Sequence, residues 1–181
     1  MSQPTFSQKL QAGSTFPDIS VTDLHGKAHT LGQTGEGQDW QLIVVYRGKH
    51  CPICTKYLNK LAKHKNKLMD AGVDVIAVSA DSKDQLESHL DDLSVDFTLG
   101  YGLSEDNMKA LGLYISAPRS EQETDHSFAE PAIFVVDQEN KIRIVDISNA
   151  PFSRPDVDIL VDGLQWLRKP DNDYPIRGTH S

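Results

Sequence analysis

The chain has 181 residues, 38% of them hydrophobic and 24% charged; that composition fits one globular domain with a substantial core and excludes intrinsic disorder. Its formal net charge of −8 argues against a nucleic-acid binder, which needs a basic face for phosphates, and against adsorption to an anionic membrane. No apolar run approaches the roughly 20 residues that span a bilayer.

The first residues lack a basic stretch followed by an apolar one, so no secretory signal is expected and a cytoplasmic location is. Residues 1–12 read as an N-terminal tail, residues 13–169 as a single domain, and residues 170–181 as a polar C-terminal tail, mobile or loosely docked. From Phe16 to Leu24 apolar and polar residues alternate, and Asp23 to Gly26 supplies turn chemistry, which predicts a β-hairpin. The Gly-rich connector Gly32–Gly37 leads to Gln41–Tyr46, a β-branched apolar run expected of a strand covered on both faces.

Pro52 suits a first helical turn. Ile53, Tyr57, Leu58, Leu61 and Leu68 then follow helical spacing, with lysines at other positions, and Gly72 is the expected stop. Val73–Ser79 is a second buried strand. Ser82 with Gln85 forms a capping-box pattern opening a helix to about Leu93. A short strand at Phe97–Gly100 and a short helix at Glu105–Leu111, ended by Gly112, follow. A long polar segment, Ser116–Glu130, follows, and its charged stretch Arg119–His126 reads as a solvated loop that could also cover the site. Pro131–Asp137 and Ile142–Ile147 read as paired strands, and Asp156–Arg168 as a final helix with Val157, Leu160, Val161, Leu164 and Leu167 on one face. Alternating strands and helices followed by a late hairpin predict an α/β fold, with a central mixed sheet flanked by helices and an N-terminal hairpin extension.

The chemistry gathers at Cys51-Pro-Ile-Cys54, the only cysteines in the chain. They fall where a buried strand hands over to a helix. Cys51 takes about the N-cap position, where free backbone N–H groups and the positive helix end favour a thiolate. Lys49 and His50 offer further positive charge, and Arg47 stands four residues upstream, either beside the sulfur or packed elsewhere. Cys54, one turn on, can close a disulfide with Cys51. Zinc uses the same cysteine spacing but requires two more ligands, and no second cysteine pair exists, so a redox pair is the preferred reading and no metal or cofactor is expected.

Several stretches resemble the thioredoxin superfamily, and within it the peroxiredoxin-like branch of the alkyl hydroperoxide reductase/thiol-specific antioxidant (AhpC/TSA) family. They are Gly13-Ser-Thr-Phe-Pro-Asp18 with Asp23-Leu-His-Gly-Lys27, and Val45-Tyr-Arg-Gly-Lys-His-Cys-Pro-Ile-Cys54. Pro131-Ala-Ile-Phe-Val-Val-Asp137 with Asn140-Lys-Ile142, and Arg154-Pro-Asp156, complete them. The resemblance implies a thioredoxin-like fold with the pair at its first helix and a cis-Pro131 facing it. Supporting roles fall to Arg47, Pro52, Pro131 and Arg154, the last on the family match alone. It implies an antioxidant enzyme with a redox-active disulfide that reduces peroxides or disulfides. Electrons would come from a thioredoxin- or glutathione-like dithiol donor, and the chain would form a homodimer.

The chain departs from the family's Pro-x-x-x-Thr-x-x-Cys loop. With Cys54 in the peroxidatic place, Arg47 and Cys51 stand where the proline and threonine would; with Cys51 there, Val44 and Gly48 do. Val45 occupies the place of a thioredoxin's buried acid. These departures leave a non-enzymatic redox sensor or adaptor, and more distantly a zinc-binding module, as alternatives.

Overall fold

A computed structural model describes residues 7–35 and 37–180. The first six residues of the expected tail, Glu36 of the Gly32–Gly37 connector, and Ser181 lie outside the described part. In chain order the strands are β1 (Ser20–Asp23), β2 (Ala28–Thr30), β3 (Trp40–Val45), β4 (Val73–Val78), β5 (Thr98–Tyr101), β6 (Ile115–Ser116), β7 (Phe128–Ala129), β8 (Ala132–Val136) and β9 (Ile142–Ile147). The helices are α1 (Pro52–Ala62), α2 (Lys65–Asp70), α3 (Lys83–His89), α4 (Glu105–Ala110) and α5 (Val157–Leu167).

Seven strands form one mixed sheet in the order β2-β1-β5-β4-β3-β8-β9. Strands β3, β4 and β5 run parallel, and β8 is antiparallel to β3 with Val45 opposite Ala132. Because β3 lies inside the sheet, its residues feed both faces. Leu42 and Val44 pack with Leu58 and Leu61 of α1 and Val161 and Leu164 of α5. Ile43 and Val45 pack on the other side with Phe16, Met108 and Leu111. The expected two-sided burial of this run is observed, since every residue of β3 is buried.

Local chemistry sets the ends of several elements. The expected N-terminal hairpin forms between β1 and β2, with Val21 opposite His29. Its turn closes as Asp23 Oδ1 accepts from the backbone N–H groups of His25 and Lys27 at 2.8 and 3.0 Å. The capping box at Ser82 and Gln85 is present at α3, but the helix stops at His89 and continues only as a 3₁₀ turn over Leu90–Asp92.

Two expectations need correction. The single helix from Pro52 to about Leu68 is two helices. Lys63 N–H bonds Lys60 O and His64 N–H bonds Leu61 O, tightened turns that end α1. The heptad separation of Leu61 and Leu68, both buried, keeps the apolar face in phase across the break and hides it. The long polar segment is also more structured than expected at its ends, where β6 and β7 pair as a two-stranded ribbon with Phe128 fully buried. The C-terminal tail lays Tyr174 against Trp166, with ring centroids 5.0 Å apart.

Candidate active site

Five residues, Tyr46–His50, carry the chain from β3 to the cysteine pair. Within them Gly48 adopts φ 137°, a left-handed conformation that suits glycine. A Cβ there would meet Asp81 Oδ1 at 2.5 Å. The buried Asp81 carboxylate accepts from Lys49 N–H at 2.8 Å, and Cys51 N–H bonds Gly48 O at 3.1 Å. The loop is therefore held from beneath by Asp81, three residues past the end of β4. Asp81 escaped the sequence reading. Its position just past the C-terminal end of a parallel strand next to β3 is the signal that could have found it.

Cys51 is the N-cap of α1, with Pro52 exposed at the first helical position. Its Sγ accepts from Cys54 N–H at 3.3 Å. Both thiols are free, and their residues are 2% and 0% exposed. The Cys51 thiol is drawn down to about 6. The main cause is a hydrogen bond from the Cys54 thiol, opposed by burial and reinforced by the Cys54 backbone N–H and the Arg47 guanidinium. Cys54 moves the other way. Sharing its proton with Cys51 and burial both hold it protonated, while Arg154 pulls against them.

An arginine lies beside each sulfur, and Arg47 also acts on Cys54. Arg47 borders Cys51 and is itself fixed by the buried Glu130, whose Oε2 lies 3.1 Å from Arg47 Nε as an ion pair without a linear hydrogen bond. Glu130 Oε1 accepts from Ser116 Oγ at 2.8 Å, and the Arg47 guanidinium lies 4.8 Å from the centre of the Phe128 ring. The β6–β7 ribbon therefore positions Arg47. Arg154 donates from Nη2 to Cys54 Sγ at 3.2 Å and from Nε to Pro151 O at 2.8 Å. Its guanidinium stacks 4.7 Å above Tyr57, whose hydroxyl bonds Pro155 O at 2.8 Å.

Other expected contributions fall away. Lys49 turns its Nζ to Ser88 Oγ at 2.5 Å. His50 is held below its ordinary basicity by burial and by Arg47, so neither residue supplies the expected charge. No cis peptide occurs among the described residues, so Pro131 is trans and the expected cis-Pro131 is corrected. Pro131 leads into β8 beside the end of β3, and its carbonyl accepts from Ser148 N–H at 3.0 Å. This continues the β8–β9 ladder without the less stable isomer. Among the described residues no group of three or more His, Cys, Asp or Glu side chains gathers as a metal site would require.

Beside the pair opens a cavity of about 840 Å³, walled by Arg47, His50, Pro52 and Asp81 on one side and residues 119–125 on the other. The loop between β6 and β7 is tied down there. His126 Nε2 lies 3.2 Å from Asp81 Oδ1, and Gln85 Nε2 donates to Asp125 Oδ1 at 2.9 Å. Sequence reasoning named this loop as able to cover the site but gave no anchor for it.

The chain is 24% identical over 169 residues to a peroxiredoxin of Methanococcus maripaludis, covering 90% of this chain and 74% of that one. Among solved structures, a peroxiredoxin-like protein from Aquifex aeolicus superposes with a TM-score of 0.72 at 19% identity, over 88% of this chain and 89% of that one. Mycobacterium bovis AhpC superposes with a TM-score of 0.71 at 18% identity, over 96% and 99% of the two chains. The fold is thus the thioredoxin-like fold of the peroxiredoxins. The sequence profile of the AhpC/TSA family matches residues 12–145, most of the chain, and the protein belongs to that family.

Proposed function

We propose that this peroxiredoxin-like thiol enzyme reduces peroxides through Cys51 and Cys54, cycling between a dithiol and an intramolecular disulfide. The observation that carries the reading is the 3.3 Å hydrogen bond from Cys54 N–H to Cys51 Sγ, which places the first sulfur where a helix start stabilises negative charge.

In the first step the Cys51 thiolate attacks the terminal oxygen of the peroxide. The S–O bond forms as the O–O bond breaks, and the departing alkoxide takes up a proton to leave as alcohol or water. Cys51 is left as a sulfenic acid. Cys54 then loses its proton and attacks the Cys51 sulfur, releasing water and closing the disulfide. Arg154, at 3.2 Å from Cys54 Sγ, stabilises the thiolate that this second attack needs. A dithiol donor returns two electrons by thiol–disulfide exchange and is itself oxidised to a disulfide.

The test is a pair of serine variants assayed for peroxide consumption with a dithiol donor. Cys51→Ser removes turnover. Cys54→Ser retains one oxidation event and accumulates a Cys51 sulfenic acid or mixed disulfide, visible by mass. Full turnover in the Cys51 variant would overturn the assignment.

A further inference from the structure

The charge of this acidic protein is unevenly distributed. From Arg47 to Met69 the sequence holds seven Lys or Arg residues and no Asp or Glu, leaving all 26 acidic residues to the rest of the chain. This segment contains the cysteine pair and both helices that follow it. On α1 the residues Ile53, Lys56 and Lys60, with Lys63 at the C-cap, recur at helical spacing along one side, and all four are exposed. Lys60 is paired to Asp156, the N-cap of α5, and to Asp158 within it at 3.9 and 3.3 Å. Lys56, Lys63 and Lys67 enter no ion pair among the described residues.

The stripe begins with an apolar residue. Ile53, two positions from Cys51, is 45% exposed, and Phe152, on the loop that carries Arg154, is 76% exposed. That loop lies against α1 through Tyr57, by the hydroxyl bond to Pro155 O and the Arg154 stacking. Exposed apolar residues beside exposed cations, of which Lys56 and Lys63 enter no ion pair among the described residues, match the anatomy of a transient protein interface, with an apolar centre and a charged rim.

We propose that this basic stripe and its apolar head dock the protein that reduces the Cys51–Cys54 disulfide, a dithiol protein with acidic residues around its reactive cysteine. The inference rests on the disulfide-cycling reading above. The chain as a whole carries a net charge of −8, whereas the segment beside the cysteine pair holds only basic charges, so an acidic partner is drawn toward this face. The stripe therefore steers encounter and orientation together.

The experiment uses the full chain oxidised to its disulfide and follows its reduction by three probes: dithiothreitol, glutathione and a thioredoxin of net negative charge. The double variant Lys56→Glu/Lys63→Glu leaves the cysteines and their arginines untouched. At low ionic strength its reduction by the thioredoxin slows about tenfold or more, and added salt narrows the gap. Reduction by dithiothreitol is unchanged. The milder Lys56→Gln/Lys63→Gln variant shows a smaller loss in the same direction, which separates steering from damage to the helix.

Equal thioredoxin rates in wild type and variant, or a wild-type rate indifferent to salt, would overturn the docking surface while leaving the disulfide chemistry standing. A loss confined to glutathione would overturn the protein partner in favour of a small anionic thiol. A salt-sensitive dimer that the variant dissociates without changing electron transfer would assign the stripe to a second copy instead. A chain that forms no disulfide to reduce, even after oxidation, would mark failure of the underlying reading.

Discussion

Arg154 Nη2 lies 3.2 Å from Cys54 Sγ across a sequence separation of one hundred residues, while Arg47, four residues before the helix cap, serves Cys51. Separate cations let the two sulfurs be activated at different steps. Arg154→Met is expected to leave sulfenic acid formation at Cys51 nearly unchanged and to slow disulfide closure. A hydrogen bond to a charged group contributes about 1.5–3 kcal/mol, so closure slows roughly 10- to 100-fold. Rapid quench after a single addition of peroxide, with mass analysis of each species, separates the two phases. A variant slowed only in the first phase would contradict the division of labour.

Thiol reactivity should follow the depressed Cys51 value. Its rate of alkylation by iodoacetamide rises with an inflection near 6 and is level through neutral pH. Cys54→Ala removes the largest cause of the depression and moves the inflection upward further than Arg47→Met does. The linked effect on stability has a definite sign. Between about 6 and the ordinary thiol value of 9 the unfolded chain holds a proton that folded Cys51 has lost. The reduced protein therefore gains stability as pH rises through that window and loses it as pH falls through 6. Urea titrations of the reduced protein at several pH values check the slope.

Gly48→Ala sets the loop's backbone against Asp81. The added Cβ meets the carboxylate at 2.5 Å in a left-handed conformation, which costs about 1–3 kcal/mol. A lowered urea midpoint accompanied by a raised Cys51 inflection is expected, because the loop displaced by the methyl group also carries Arg47. A midpoint equal to that of wild type would show that the loop is not held as described.

Asp81→Asn tests the same support from the other side. The carboxylate is buried, receives the Lys49 N–H and faces His126 of the covering loop. Replacing it by an amide weakens both contacts, and a loss of about 1–3 kcal/mol is expected for a disrupted buried polar group. Limited proteolysis within residues 117–127 should also quicken, since the His126 anchor of that loop is weakened. Unchanged cleavage would separate the loop from Asp81.

Much of the fold was legible because its signals are local. The buried run of β3, the capping box at Ser82, the turn at Asp23 and the apolar face of α5 each follow from residues close together in sequence. The cysteine pair was legible for the same reason, since a strand, a turn and a Pro-led helix start are contiguous. The break between α1 and α2 was hidden because Leu61 and Leu68 keep their phase through it. The supports of the site were harder to read. Asp81 beneath Gly48, Glu130 behind Arg47 and His126 on Asp81 depend on side-chain direction across neighbouring strands, which no local period encodes. Lys49 and His50 illustrate the same limit, as their positions suggested charge at the sulfur while their side chains point or titrate otherwise. Arg154 was placed by family resemblance alone, and the contact with Cys54 supplies its physical basis.

Peroxide reduction through the Cys51–Cys54 pair is tested most directly by stopped-flow oxidation of the fully reduced protein by hydrogen peroxide, with quenched samples analysed for the disulfide. A second-order rate well above that of a free thiol at the same pH is expected, with disulfide following sulfenic acid in a distinct second phase. A rate equal to that of a free thiol, with no disulfide formed, would contradict it.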